Sequence, residues 1–158
     1  KEAGHENLEL SLKLPPVGYA RDGGQVIADM LSQVGIKATI ENVEWPIWVG
    51  QVFKEKQFDL TIVSHVEPMD MNNYTNPDYY WQYDNAEFRE IYAKFEASTT
   101  PADQKKWVQA AQRKLAEDSV NGFLFELAKL SVAKKGLTGM WASWPSFINE
   151  VAALAWEG

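Results

Sequence analysis

Cysteine is absent from this chain, which removes disulfide staples, thiolate nucleophiles and cysteine-held zinc together. Long apolar runs are absent too: none approaches the roughly 20 residues that span a bilayer. Basic residues are in the minority, 15 Lys and Arg against 22 Asp and Glu, for a formal net charge of −7. Nucleic acid and anionic membrane surfaces are recognised by clustered cations, and a pair such as Lys134-Lys135 is too short to count. Repeats and low-complexity tracts are missing as well. What is present is a chain of 158 residues, 46% hydrophobic and 23% charged, close to the globular average and long enough for one buried core. Aromatic residues reach 13%, with seven Trp, a surplus that either fills a core or lines a ligand cleft.

The first half alternates between two periods. Leu8, Leu10, Leu12 and Leu14 recur every second residue, the mark of a strand with one face on a core, and Pro15-Pro16-Val17-Gly18 ends it. From Tyr19 to about Val34 the period becomes helical, with Ile27, Met30, Leu31 and Val34 expected inward and Gly35 as the C-terminal stop. Residues 36–41 read as a second strand. Trp45 to Glu55 reads as a short helix with Pro46 in its first turn. Phe58 to Ser64 reads as a third strand whose apolarity places it at the sheet centre. Strand–helix–strand–helix–strand with short links gives an α/β fold: a mixed sheet with a βαβαβ parallel core flanked by helices.

Residues 65–85 carry no clear period yet hold four of the six tyrosines. About 20 irregular residues after a parallel strand point to function, because open α/β sheets bind ligands beyond the carboxyl ends of their strands. A helix over 86–98 follows, with Phe88, Ile91, Tyr92 and Phe95 on one face. Thr100-Pro101-Ala102-Asp103 then opens another, running to about Asp118 with Trp107, Val108, Ala111 and Leu115 inward. Residues 122–127 are a strand candidate with 130–133 as a possible partner, and 141–158 read as an aromatic arm.

The candidate chemistry is thin. The turn from Gly18 to Gly24 lacks both the Lys-Ser/Thr ending of a P-loop and the spacing of a dinucleotide fingerprint. His65, Glu67 and Asp70 can gather round a metal, but they offer only one nitrogen ligand, so a polar ligand-contacting loop is the preferred reading and no metal or cofactor is expected. Ser64 and His65 are strand neighbours pointing to opposite faces, which excludes a direct nucleophile–base pair. Glu67 with Asp70 is compatible with acid–base work in a small hydrolase-like enzyme. Trp45, Trp48 and the run Tyr79-Tyr80-Trp81 either stack on a solute or pack helix and loop onto the sheet. The tail from 140 to 158 allows a third reading, a protein-interaction module.

Taken in order, several stretches resemble one family. They are Gln25 to Ile40, Glu44-Trp45, Phe58-Asp59-Leu60, Glu67-Pro68-Met69-Asp70, Tyr74 to Pro77, Pro101 to Glu117 and Phe123 to Leu127. The succession looks like the second lobe of the bacterial solute-binding proteins that feed dipeptide, oligopeptide and nickel ABC importers. Lys1-Glu2-Ala3-Gly4 is similar to the helix end that precedes this lobe, so the chain is expected to be a piece of a longer polypeptide. The resemblance implies a non-enzymatic lobe over 1–140 and an arm over 141–158 returning toward a missing N-terminal lobe. It further implies an exported, periplasmic or extracellular setting, a membrane permease as partner, and a peptide or other small solute as ligand. Cleft-facing positions are then expected at Tyr19, Trp48, His65, Glu67, Asp70 and Trp81, with Glu67 or Asp70 holding a ligand amino group. The loop reads His-Val-Glu-Pro-Met-Asp, shorter than the common Trp-containing version, so a peptide is one of several solute classes that fit.

Overall fold

The computed structural model describes residues 4–5, 7–67, 70–126, 128, 130–141 and 150–157. The expected helix end at Lys1–Ala3, Pro68 and Met69 of the loop, and 142–149 of the arm lie outside them. The chain divides into two units, 1–65 with 73–86 and 66–72 with 87–158.

The first unit is built on three parallel strands in the order β2-β1-β3: β1 (Leu8–Leu14), β2 (Ile36–Asn42) and β3 (Leu60–Thr61). β1 pairs along its whole length with β2, from Leu8 opposite Ile36 to Leu14 opposite Asn42. On its other side only Leu12 and Lys13 meet β3. The third strand is thus short and at the edge, not the centre. Its apolar run arises because both faces are covered: Leu60 and Ile62 join one core cluster, Phe58 and Val63 the other. The ladder stops at Leu60 because the Asp59 side chain takes over the next bond, accepting from the Ser11 amide and the Ser11 hydroxyl, each at 2.8 Å.

Helix α1 (Gly18–Gln33) connects β1 to β2 and covers the leucine face. Gly35, with φ +84°, ends it as expected of a left-handed stop. The inward stripe differs from the expectation. Ala20 and Gly24 are the buried positions, while Met30 and Val34 stand 57% and 73% exposed. Small residues let the helix axis approach β1 so closely that a Cβ at Gly24 would overlap the Leu14 methyl groups. Ile27 and Leu31, also expected inward, are half-buried and continue the Ala20–Gly24 stripe, so Met30 and Val34 fall outside it.

The opposite face is covered by α2 (Trp45–Ile47), which continues into a π-helix over Trp48–Lys54. Pro46 sits in the first turn, where its missing N–H costs nothing. The widening of the helix shows in the bond from the Glu55 amide to the Gly50 carbonyl. Lys13 projects to this side and donates to the Gln51 side chain at 3.0 Å and the Gln57 carbonyl at 2.8 Å, securing the end of the π-helix.

In the second unit, α3 (Ala86–Glu96) buries Phe88 and Tyr92, and α4 (Pro101–Glu117) buries Ala111 and Leu115. Thr100 caps α4 as expected, accepting from the Asp103 amide while its hydroxyl donates to the Asp103 carboxylate at 2.7 Å. Lys114 stands 3.0 Å from both Glu87 and Asp118, and Lys94 lies 4.9 Å from the Trp107 ring centre, so side chains of the two helices interlock. The strands expected over 122–127 and 130–133 are not formed among the described residues. Phe123, Phe125, Leu130 and Val132 are exposed there, because alternation makes a strand only where a ladder partner exists. A short antiparallel pair, β4 (Leu137–Thr138) with β5 (Ala155–Trp156), brings the chain's end back within this unit.

Two stability predictions follow from the first unit. Gly24→Val should lower stability by about 1–3 kcal/mol through overpacking on Leu14, whereas Gly23→Ala, with open space around its Cβ, should raise it by up to about 1 kcal/mol; urea unfolding distinguishes the two. The Ser11 amide, then its hydroxyl, with help from the Lys13 charge, hold the Asp59 carboxyl below the usual aspartate range. A depressed folded-state pKa means stability that is present above the ordinary aspartate value and lost as pH falls through the folded one. Asp59→Asn should therefore be less stable than the parent at pH 7, and the gap between their thermal midpoints should close on acidification toward pH 2.

Candidate functional site

The carboxyl ends of β1 and β3 lie side by side, and two tyrosine hydroxyls hold the segment after β3, one through a backbone amide and one through a side chain. Pro15-Pro16 turns the chain out of β1, and Tyr19 follows in the first turn of α1. Its hydroxyl accepts the Ser64 amide at 2.9 Å, joining the segment after β1 to the segment after β3. One residue on, His65 Nε2 and the Tyr80 hydroxyl are 2.9 Å apart, and the two rings stack with centres 5.8 Å apart and planes 19° from parallel. The irregular segment is thereby fastened to the strand end that precedes it.

Beneath this pair is an aromatic cluster. Trp48 meets Tyr80 edge to face at 5.8 Å and spends its indole N–H on the Thr61 hydroxyl at 3.0 Å. Tyr74, Tyr80 and Trp48 are buried, at 8%, 5% and 5% exposure, so the tyrosine-rich segment supplies core as well as surface. Trp81 lies over Tyr74, with ring centres 4.3 Å apart and planes 23° from parallel, and presents its edge to His65 at 5.5 Å. Tyr79, His65 and Trp81 are half-buried, which leaves the upper layer of the cluster in reach of solvent.

Of the positions singled out in the sequence, Tyr19, His65, Trp48 and Trp81 belong to the first unit, where contacts through Ser64 and Tyr80 connect them. Glu67 and Asp70 belong to the second unit. Glu67 is exposed and its carboxylate accepts the Val66 amide at 3.0 Å; Asp70 is half-buried and opens a 3-10 turn over Asp70–Thr75. Sequence reasoning did not single out Tyr80 as the partner of His65, or the Arg21–Glu44 ion pair at 3.3 Å between the first turn of α1 and the residue before α2. The opposite charges of Arg21 and Glu44 at the ends of adjacent connections were the available signal for the second. No short-range pattern signals the first, since the two rings are fifteen residues apart.

No protein-family model matches the sequence, and no curated protein matches it. Solved structures do match. The oligopeptide-binding protein AppA from Bacillus subtilis, in complex with a nonapeptide, superposes with a TM-score of 0.63 at 19% identity, over 76% of this chain and 27% of its own. A dipeptide binding protein from Pseudoalteromonas sp. SM9913, in complex with Met-Leu, gives 0.64 at 20% identity over the same shares of the two chains. A nickel ABC transporter protein from Bacillus halodurans gives 0.58 at 16% identity, over 74% of this chain and 26% of that one. The chain spans about a quarter of the length of each of these proteins. The α/β architecture around the parallel strands is therefore similar in fold to part of each of these solved structures.

Proposed function

We propose that this chain is a solute-binding segment of an exported receptor for an ABC importer, forming one side of a ligand cleft and carrying out no chemistry of its own. One observation carries the reading: the segments leaving β1 and β3 are locked together by Tyr19 and Ser64 at the carboxyl edge of a parallel sheet, where α/β folds bind ligands. The likeness to peptide- and nickel-binding proteins of ABC transporters supports it. In this reading Tyr19, His65 and Trp81 face the solute and Trp48 supports them from below. Glu67 or Asp70 supplies the carboxylate for a cationic group of a peptide or other small polar solute. Residues 1–140 act as the lobe, residues 141–158 as an arm, and a second lobe outside these residues closes the cleft before a membrane permease receives the solute. The setting is periplasmic or extracellular, and no described helix is long and apolar enough to cross a membrane.

A cleft with one wall buries only part of its ligand, so affinity is low. Titration calorimetry of the 158-residue chain with Met-Leu should give a Kd on the order of 1 mM or weaker. Glu67→Gln or Asp70→Asn, whichever residue holds the amino group, should weaken it by about tenfold or more, the worth of a charge-assisted hydrogen bond. Submicromolar binding by the chain alone would overturn the one-wall account. Tyr19→Phe removes the acceptor for the Ser64 amide, so that amide should exchange its hydrogen faster by about two- to tenfold, with stability reduced by about 0.5–1.5 kcal/mol; unchanged Ser64 protection would show that the link does not position the loop.

A further inference from the structure

The indole N–H of Trp81 is buried, and no protein acceptor among the described residues lies within hydrogen-bond reach of it. Trp48, the buried tryptophan of the cluster, has its N–H satisfied by Thr61. Leaving a buried donor without an acceptor is unfavourable, and such groups in folded proteins call for a specific explanation. Trp81 is covered by rings, Tyr74 and Tyr79 with centres at 4.3 Å, which offer only weak π acceptance to an N–H. Its backbone sits in a tight turn closed by the bond from the Gln82 amide to the Tyr79 carbonyl at 2.8 Å. Gln82, the next residue, has φ +52°, a left-handed conformation that a side-chain-bearing residue adopts at a cost. Two unfavourable features therefore meet at adjacent positions of an irregular segment, and the indole itself remains half-buried beside His65. Strain gathered at one place in a binding segment is characteristic of a ligand clamp.

We infer that Trp81 is the loop's solute-contacting hydrogen-bond donor. Its indole turns about the side-chain torsions so that Nε1–H leaves the ring cluster and donates to an acceptor oxygen, a carbonyl or carboxylate, of the bound solute. The inference rests on the binding reading above and adds to it the chemistry that this position selects. A solute lacking an acceptor oxygen gains nothing there, because the donor would stay unsatisfied in both states.

The test is an indole ¹⁵N–¹H correlation spectrum of the full chain, with the Trp81 resonance assigned through its own side chain and Met-Leu added to millimolar concentration as the probe. The expected result is a saturable downfield shift of the Trp81 indole proton, with slower exchange with water. Trp81→Phe should weaken Met-Leu by about tenfold, and its backbone spectrum reports whether the variant is folded. If the Ser64 and His65 amides respond to Met-Leu while the Trp81 indole does not, the inference falls and the binding reading stands. If no resonance responds, both fall.

Discussion

Two hydrogen bonds meeting at Thr61 couple the sheet to everything built above it. The Trp48 indole donates to the Thr61 hydroxyl at 3.0 Å, and that hydroxyl donates onward to the Lys13 carbonyl at 2.7 Å. The relay fixes which face of the π-helix turns to β1, and hence where the Trp48 ring stands. Tyr80 rests edge to face on Trp48, and its hydroxyl reaches His65. The position of the candidate binding residues is thus inherited, contact by contact, from the carboxyl end of the central strand. Threonine suits this place because its hydroxyl accepts and donates at once while its methyl group fits a pleated, covered surface.

The two faces of the sheet solve different problems. On the leucine face the helix is held by close approach: Gly24 over Leu14, with Ala20 beside it, brings α1 nearer than any larger residue would allow. On the other face the contacts are polar as well as apolar, with Lys13 spanning to Gln51 and to the Gln57 carbonyl. Apolar packing is tolerant of exchange and has no direction, whereas hydrogen bonds fix orientation. The oriented contacts lie on the side that carries the aromatic segment, where placing rings to within a few tenths of an ångström matters for holding a solute.

Local periodicity made β1, α1, β2, α3 and α4 legible, because alternation and 3.6-residue spacing are written within a dozen residues. The Thr100 cap was legible for the same reason: its partners are three residues apart. What was not legible depended on partners distant in sequence. The apolar run at 58–64 was expected to be central, but two covered faces produce the same composition at an edge. Met30 and Val34 were expected inward because large apolar residues dominate a helical stripe; the close approach at Gly24 leaves no such trace in hydrophobicity. The apolar stretches at 122–127 and 130–133 suggest a strand and a partner, but apolar composition alone does not supply the neighbouring backbone a strand requires. At the site, the irregular aromatic segment was recognisable by its lack of period, whereas the pairing of His65 with Tyr80 and of Tyr19 with Ser64 was not, since each bridges fifteen residues or more.

The density of aromatic residues between 74 and 83 has a physical rationale in these contacts. A loop without regular hydrogen bonding needs another source of order, and large flat side chains supply it by burying area while losing few torsional degrees of freedom. Tyr74 and Tyr80 serve in this way, buried among neighbouring rings. The half-buried rings above them, Tyr79, His65 and Trp81, are then held in place without being enclosed. A layered arrangement of this kind lets one short segment act both as its own core and as a preformed surface. The rigid lower layer limits the entropy that the upper layer loses on contact with a solute.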